Sequence, residues 1–204
     1  MNEYSLAKVQ YILLLSLLLS IVVNAQNDNH IKFMGIPLGQ QLHSFIFKLK
    51  QKGFEDGANG SLSKSLKQYE MRGRFLGVSN QDIIIQYYDD KTVVGVFTSY
   101  NYKSWDEALK QYNYIKTMLT KKYGKPKKCE EKFLSNAIPK DDKGKFQAVK
   151  SDKCRYLSKY GVDNGYIEVK ISNGANYLNA SLIDVVLTYW DESDIKKRNP
   201  LDDL

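Results

Sequence analysis

Histidine and cysteine are scarce in this chain, which has two of each among its 204 residues. His30 and His43 stand thirteen positions apart, and neither has a cysteine or a carboxylate at metal-ligand spacing. Both cysteines lie in the other half of the chain, so the sequence pairs no thiol with a nearby base. The sequence therefore predicts no metal site, and it does not favour a zinc or Cys–His enzyme.

Motifs for nucleotide binding and serine hydrolysis are also missing. The chain has no Gly-x-Ser-x-Gly motif, no P-loop and no dinucleotide-binding glycine motif, so we predict no cofactor. Its acidic pairs fall in predicted turns, loops or the tail, where turn formation and solubility account for them. These pairs are Asp89-Asp90, Asp141-Asp142 and Asp202-Asp203. A glycosidase-type acid and base among them is the alternative.

The balance of charge is positive, with 30 basic and 23 acidic side chains and a net charge of +7. A basic protein is attracted to anionic surfaces such as lipid headgroups, acidic glycans or an acidic protein. The lysines are spread along the chain, however, which is also what solubility alone requires. Hydrophobic residues make up 43% of the chain, which is enough for a folded core and argues against global disorder.

Residues 1–25 have the features of a secretory signal peptide. Lys8 provides the basic flank, residues 11–23 form an apolar run, and Val23-Asn24-Ala25 provides small residues for cleavage. The run is shorter than the ~20 residues of a membrane-spanning helix. Because Gln26, not cysteine, follows the cleavage position, a lipoprotein is not predicted. We expect a secreted or periplasmic mature chain without a membrane span; a retained N-terminal anchor is the alternative.

The clearest structural element is an amphipathic helix predicted over residues 104–123. Ser104 and Glu107 have the spacing of a capping box, and Gly124 and Pro126 are typical of a helix end. One apolar stripe follows the three- and four-residue spacing of a helix. It consists of Trp105, Ala108, Leu109, Tyr112, Ile115, Leu119 and Tyr123. We expect this stripe to be buried against a sheet.

The other elements predict an α+β fold, in which two helices pack on a mainly antiparallel sheet. The second helix is predicted at about 40–52, and residues 55–65 and 135–150 are read as polar loops. Strands are predicted at 31–37, 68–75, 83–88, 92–100, 127–134, 154–160, 166–172 and 181–190. Most connections are too short for the crossovers that parallel strands need.

Residues 26–190 are expected to form one domain, followed by a flexible tail at 191–204. The domain divides into modules 31–102 and 103–190, each with a helix leading into a β-meander. Because both helices end in a lysine-rich turn and a glycine, we predict a two-fold structural repeat.

Several short segments resemble a group of uncharacterised secreted proteins from Bacteroidetes. They are Phe33-Met-Gly-Ile-Pro37, Phe45, Lys48-Leu49, Lys52-Gly53-Phe54, Gly73-Arg-Phe75, Trp105 and Lys122-Tyr-Gly-Lys-Pro126. The resemblance covers about two-thirds of the mature chain, and its motifs are caps, strands and core aromatics rather than catalytic residues. The two-module outline is also similar to the β-lactamase-inhibitor-protein type of architecture, which implies a fold but no function.

Cys129 and Cys154 are expected to form a disulfide, because both flank the 135–150 segment of an exported chain. Such a bond would close that loop and stabilise the fold by about 3 kcal/mol. Free thiols are the alternative.

The sequence leaves two classes of function open. The first is a non-enzymatic binding protein for a protein or an anionic envelope or glycan ligand, with Tyr87, Tyr102, Lys103 and Lys125 as candidate contacts. The second is a hydrolase that uses carboxylates assembled by the fold, for example Asp89, Asp90 and Glu107. Aromatic residues beside lysines also suit single-stranded nucleic acid. An exported protein seldom meets such a ligand, so we do not expect it.

Overall fold

A computed structural model describes residues 30–58, 66–134, 138–162, 164–174 and 181–193. The predicted signal peptide, 1–25, lies outside the described residues, as do residues 194–204 of the predicted tail. The statements below concern the described residues.

Three helices and ten strands confirm the predicted α+β class. The helices are α1 (Leu42–Lys50), α2 (Trp105–Tyr123) and α3 (Asp142–Lys150). The first six strands are β1 (Lys32–Phe33), β2 (Ile36–Pro37), β3 (Glu55–Asp56), β4 (Gln68–Phe75), β5 (Val78–Tyr87) and β6 (Val93–Tyr102). The other four are β7 (Lys128–Phe133), β8 (Cys154–Val162), β9 (Gly165–Ser172) and β10 (Ile183–Asp191). In this part of the chain, no helix is both long and apolar enough to cross a membrane.

Eight strands form one antiparallel sheet in the order β3-β4-β5-β6-β10-β9-β8-β7. Two three-strand meanders, β4–β6 and β8–β10, meet where β6 pairs with β10. Strands β1 and β2 form a separate hairpin, because Met34 and Gly35 adopt positive φ angles of 51° and 80° and turn the chain there. The predicted two-fold repeat fits this strand order and stays a prediction.

Helix α2 covers the centre of the sheet as its stripe predicts. Its first turn is capped by the Ser104 hydroxyl, which accepts a hydrogen bond of 3.2 Å from the Glu107 N–H. The helix ends at Gly124, whose φ of 80° is one that glycine adopts at no steric cost. Five residues of the stripe are buried: Trp105, Ala108, Tyr112, Ile115 and Leu119. Leu109 and Tyr123 are only partly buried at the edge of the same core.

Three sequence-based predictions of irregular structure were wrong. The first is the loop predicted at 55–65, since Glu55 and Asp56 form strand β3 and pair with β4. The segment 135–150 contains helix α3, which Asp141 caps by accepting a 2.7 Å hydrogen bond from the Gly144 N–H. Only Ala148 and Val149 of this helix are buried, so its apolar stripe is too short to be recognised. Asp191 is the last residue of β10 and is buried, so the tail does not begin there.

One face of the large sheet packs on the three described helices, and the opposite face contacts none of them. Burial alternates along β9, where Ile167, Val169 and Ile171 are buried and Glu168 and Lys170 between them are half-buried. The buried positions of β5, β6, β9 and β10 join residues of α1 and α2 in one hydrophobic core. We call the opposite face the open face. On it Ile84 of β5 lies opposite Phe97 of β6, and Val186, Lys170 and Leu157 lie opposite one another on β10, β9 and β8.

Candidate binding site

A cleft of about 740 Å³ lies on the open face where β5 and β6 separate. This volume is within the range of small-ligand and peptide-anchoring pockets. Ile84, Phe97 and Val186 give the cleft an apolar floor. Its other lining side chains include the carboxylates of Glu70, Asp82 and Asp184 and the polar groups of Ser99 and Asn101.

The cleft exists because the ladder between β5 and β6 stops partway along both strands. Their register runs from Tyr87 opposite Val93 to Ile84 opposite Phe97, although β6 continues to Tyr102. The first half of β5 is still paired with β4. The register of this β4–β5 hairpin shifts between Gly73 and Phe75. A bulge of this kind bends a strand and increases its twist, which turns β5 away from β6.

Side chains bridge the two strands where the ladder stops. The Thr98 hydroxyl donates to the backbone oxygen of Asp82 at 2.9 Å, a position that a backbone N–H would fill in a regular ladder. The Gln81 amide donates to the Thr98 hydroxyl at 2.7 Å and to the backbone oxygen of Ser99 at 3.1 Å. Gln81 and Thr98 therefore hold the strands at a fixed separation at the narrow end of the cleft.

The cleft is acidic although the whole chain is basic. Its described lining includes three carboxylates and no lysine or arginine. Asp82 is held in a two-point ion pair by Arg72, at 2.6 Å from Nε and 3.0 Å from Nη2, and these bonds raise the pKa of Arg72. Asp184 is 5% exposed and accepts a 2.6 Å hydrogen bond from the Asn101 amide, while Glu70 is 8% exposed. The carboxylates of Asp82 and Asp184 are thus each engaged by a neighbouring side chain.

Aromatic side chains continue from the cleft across the open face. The rings of Phe97 and Trp190 lie 5.8 Å apart, and Trp190 faces Tyr166 on the next strand. Trp190 lies over Gly95, where an added Cβ would come within 2.7 Å of the indole, so only glycine leaves this space. Beyond them, the Lys159 ammonium is 3.4 Å from the centroid of the Tyr166 ring. This aromatic row (Phe97, Trp190 and Tyr166) is suited to stacking against a ligand.

The open face is basic at its other end. Strands β7 to β9 present two glutamates there, Glu130 and Glu168, against five basic side chains. The basic residues are Lys128, Lys132, Arg155, Lys159 and Lys170. Glu130 pairs with Lys128 at 2.8 Å, and Lys170 lies 3.9 Å from Glu168. The face is thus divided into an acidic cleft and a basic end, joined by the aromatic row.

The structure places the four ligand-contact residues predicted from the sequence in different parts of the fold. Tyr102 borders the cleft, but it is opposite the buried Ile183 on the helix side of β6, where burial and the Glu107 carboxylate raise the pKa of its hydroxyl. Lys103 follows it and is exposed. Tyr87, however, is only 3% exposed and belongs on the buried side of β5, so its prediction as a surface contact was wrong. Lys125 is exposed beyond the far end of α2, which is about 28 Å long.

The carboxylates predicted for a hydrolase are not brought together. Asp89 and Asp90 lie at the turn before β6, whereas Glu107 lies in the first turn of α2, after β6 has ended. The ten residues of β6 span about 33 Å. In the described ranges, no three residues of the types His, Cys, Asp and Glu are grouped in a way that could hold a metal ion.

His30, Asp191 and Ser193 form a polar cluster that sequence reasoning missed. The Nδ1 atom of His30 lies 3.0 Å from a carboxylate oxygen of Asp191 and 2.8 Å from the Ser193 hydroxyl. A proton relay of the serine-hydrolase type needs one partner on each ring nitrogen, and here both partners share Nδ1. Asp191 also accepts a 3.0 Å hydrogen bond from the Ile31 N–H. The cluster therefore fastens the start of the described chain to β10.

The predicted disulfide between Cys129 and Cys154 was wrong, and both thiols are free. In the β7–β8 hairpin Cys129 is opposite Ser158, whereas Cys154 is opposite Phe133. Four ladder positions, or about 13 Å along the strands, separate the two residues. A disulfide needs Cα atoms within about 7 Å. The hairpin register therefore prevents the bond.

We expect the two thiols to react at very different rates with iodoacetamide. Cys129 is exposed, so the reagent can reach its sulfur, which lies 3.5 Å from the Lys116 ammonium. Cys154 is half-buried, and burial raises its pKa to about 12. Mass spectrometry of the native protein should find Cys129 modified first and Cys154 modified only after unfolding. A disulfide-linked peptide, or equal rates at both residues, would contradict this expectation.

The residues that line the cleft were not recognised from the sequence. Alternation in the strand predicted at 68–75 placed Glu70 and Arg72 on one polar face, which was the available signal. Asp82 and Asp184 lie 102 residues apart and come together only through the pairing of β6 with β10. Comparison of this chain with protein-family models, with curated proteins and with solved structures found no match.

Proposed function

We propose that this chain is an exported, non-enzymatic binding protein whose protein partner binds on the open face. The observation that carries the proposal is the cleft between β5 and β6, a concave site with an apolar floor and polar walls. The aromatic row extends the same surface, and large aromatic side chains with a polar edge are frequent in protein interfaces. None of the described helices covers this face of the sheet, so its apolar residues are available to a partner.

An anionic envelope or glycan ligand, the other expectation from the sequence, fits a different part of the open face. The lysines and arginine of β7 to β9 would attract it, whereas the carboxylates of the cleft would repel it. We therefore favour a protein partner for the cleft.

The experiment that tests the proposal is a pull-down with the mature protein from its own cell envelope, performed at low and at high salt. Capture of one specific partner, weakened by salt, supports a binding function with a charged interface, because salt screens exposed charges. Failure to capture any protein in either buffer would contradict it.

Export is part of the proposal, and it rests on the signal features of residues 1–25 and on the resemblance to secreted proteins of Bacteroidetes. We expect the mature chain to begin at Gln26. N-terminal sequencing or the intact mass of the exported protein checks this. A mature chain that still begins at Met1 would contradict it.

A hydrolase is the second candidate, because Glu70, Asp82 and Asp184 line one cleft. One protonated and one ionised carboxyl would be required, as in glycoside hydrolysis. Turnover in a screen of glycans and peptides that is lost in Asp184→Asn would favour this candidate over the binding protein. Both carboxylate oxygens of Asp82 are instead occupied by Arg72, which is the reason we place binding first.

A further inference from the structure

We infer that the protein has a second binding site, for a neutral saccharide, in a groove between the end of β6 and the first half of α2. The groove lies on the helix side of the sheet, so this inference goes beyond the function proposed for the open face and does not depend on it. Two observations support it: a buried tyrosine hydroxyl without a hydrogen-bond partner, and the side chains that line the groove.

A groove of about 510 Å³ lies beside α2, and we call it the helix-side groove. This volume is within the range of small-ligand pockets. One wall is Tyr102, which is opposite the buried Ile183 and therefore lies on the helix side of β6. The other wall is a single face of α2, because residues three and four positions apart on a helix are neighbours. It consists of Glu107, Lys110, Gln111 and Tyr114.

The hydroxyl of Tyr100 is buried beside this groove and is unpaired. Tyr100 is 6% exposed, and its hydroxyl has no hydrogen-bond partner among the described residues. Tyr100 is opposite the buried Val185, which places its ring on the helix side of β6, although it also borders the open-face cleft at the gap between β5 and β6. Burial raises the pKa of Tyr100, and the two tyrosines of the groove, Tyr102 and Tyr114, add to this effect. The hydroxyl therefore stays protonated near the groove and can donate a hydrogen bond to a ligand.

An unpaired hydroxyl of this kind is costly to the fold. A buried polar group without a partner destabilises a protein, so the great majority of such groups are hydrogen-bonded. Phenylalanine has the same ring as Tyr100 without the hydroxyl, so packing of the core does not explain the presence of tyrosine at this position. A ligand that accepts a hydrogen bond in the helix-side groove provides the missing partner.

The groove lining matches a neutral ligand that has many hydroxyl groups. The charges of Glu107 and Lys110 oppose each other, so the described lining has no net charge. A carboxylate accepts hydrogen bonds, an ammonium donates them, and the amide of Gln111 does both. Sugar hydroxyls both donate and accept, so they can pair with each of these groups. The ring of Tyr114 is 48% exposed and can stack against the apolar face of a sugar.

A saccharide fits this groove better than an extended peptide, because the groove offers side chains rather than a strand edge. In the body of α2 the backbone N–H and C=O groups bond to each other within the helix. A peptide that binds by strand addition needs free backbone groups, which this wall does not provide. Recognition in the groove therefore depends on stacking and on hydrogen bonds from side chains.

The test begins with binding of the labelled mature protein to a printed array of neutral and acidic oligosaccharides. The neutral oligosaccharide that binds best is then titrated by calorimetry. Tyr100→Phe removes only the unpaired hydroxyl and should weaken binding by about threefold to tenfold, which corresponds to one hydrogen bond. Tyr114→Ala removes the stacking ring and should weaken binding by about tenfold or more.

Tyr112→Phe is the matched control, because it removes a tyrosine hydroxyl from α2 outside the groove lining. The Tyr112 hydroxyl lies 2.8 Å from that of the buried Ser158 on β8. Its removal should change affinity by less than about twofold, since it is not part of the site.

Urea unfolding gives a second readout, which separates a ligand-binding hydroxyl from a structural one. Tyr100→Phe should leave the unfolding midpoint unchanged or raise it, whereas Tyr112→Phe should lower it because the bond to Ser158 is lost. A lower midpoint for Tyr100→Phe, binding of no oligosaccharide or of acidic ones only, or unchanged affinity in Tyr100→Phe and Tyr114→Ala would each overturn the inference. Capture of a protein partner is measured separately in the envelope pull-down, so either result can fail without the other.

Discussion

Replacing Trp105 by alanine is expected to lower the free energy of unfolding by about 3 to 5 kcal/mol. The indole is 1% exposed at the start of α2. Its ring centroid lies 5.1 Å from that of Phe133 and 4.8 Å from that of Tyr156, so its removal leaves a cavity between α2 and the β7–β8 hairpin. Urea unfolding followed by circular dichroism measures the change.

Tyr114→Ala is the matched control, because it removes an aromatic ring from the same helix at a position that is 48% exposed. Its effect should stay within about 0.5 kcal/mol. If Trp105→Ala cost no more than this control, the packing of α2 on the sheet would be wrong.

The second large effect concerns partner capture. Val186→Trp places a bulky ring on the floor of the cleft and should reduce capture of the envelope partner by roughly tenfold or more, because the partner and the ring would occupy the same space. The measurement is the amount of partner recovered in the pull-down, with equal amounts of folded bait.

Leu157→Trp provides the control for this substitution. Leu157 is half-buried on the same open face and stands in the same row, since Val186 is opposite Lys170 and Lys170 is opposite Leu157. It does not belong to the cleft lining, so capture should be retained. Retention of the partner by both variants would exclude the cleft as its site.

The elements that sequence reasoning predicted well are those that local residues determine. Helix α2 has a capping serine, a long apolar stripe and a terminal glycine, and each of these signals lies within the segment itself. Helix α3 has nine residues, and only two of them are buried, so its periodicity is too weak to separate it from a polar loop.

The side of a strand is harder to predict when both of its faces are apolar. In β5 the run Ile83-Ile84-Ile85 gives no alternation, so the sequence did not show that Tyr87 belongs on the buried side with Ile83 and Ile85. The buried Tyr87 was therefore predicted to be exposed. For the same reason, the sequence did not show that Ile84 lies on the opposite face, where it forms part of the cleft floor.

The cleft and the free cysteines both depend on register, which single-strand patterns do not determine. Cys129 and Cys154 flank one segment of the sequence, yet the β7–β8 register places them at opposite ends of the hairpin. In the same way, the end of the β5–β6 ladder follows from a bulge and from the bridging side chains of Gln81 and Thr98. Neither the cleft nor the separation of the two cysteines can be predicted before the pairing of the strands is known.

Hydrogen exchange of the mature protein, measured with and without the partner captured from the envelope, tests most directly whether the cleft is the binding site. Our account predicts slowed exchange in two segments that border the cleft, 78–82 in β5 and 99–102 in β6. Exchange in the second half of α2, on the opposite side of the sheet, should not change. Protection confined to the outer surface of α2, with residues 99–102 unaffected, would contradict the account.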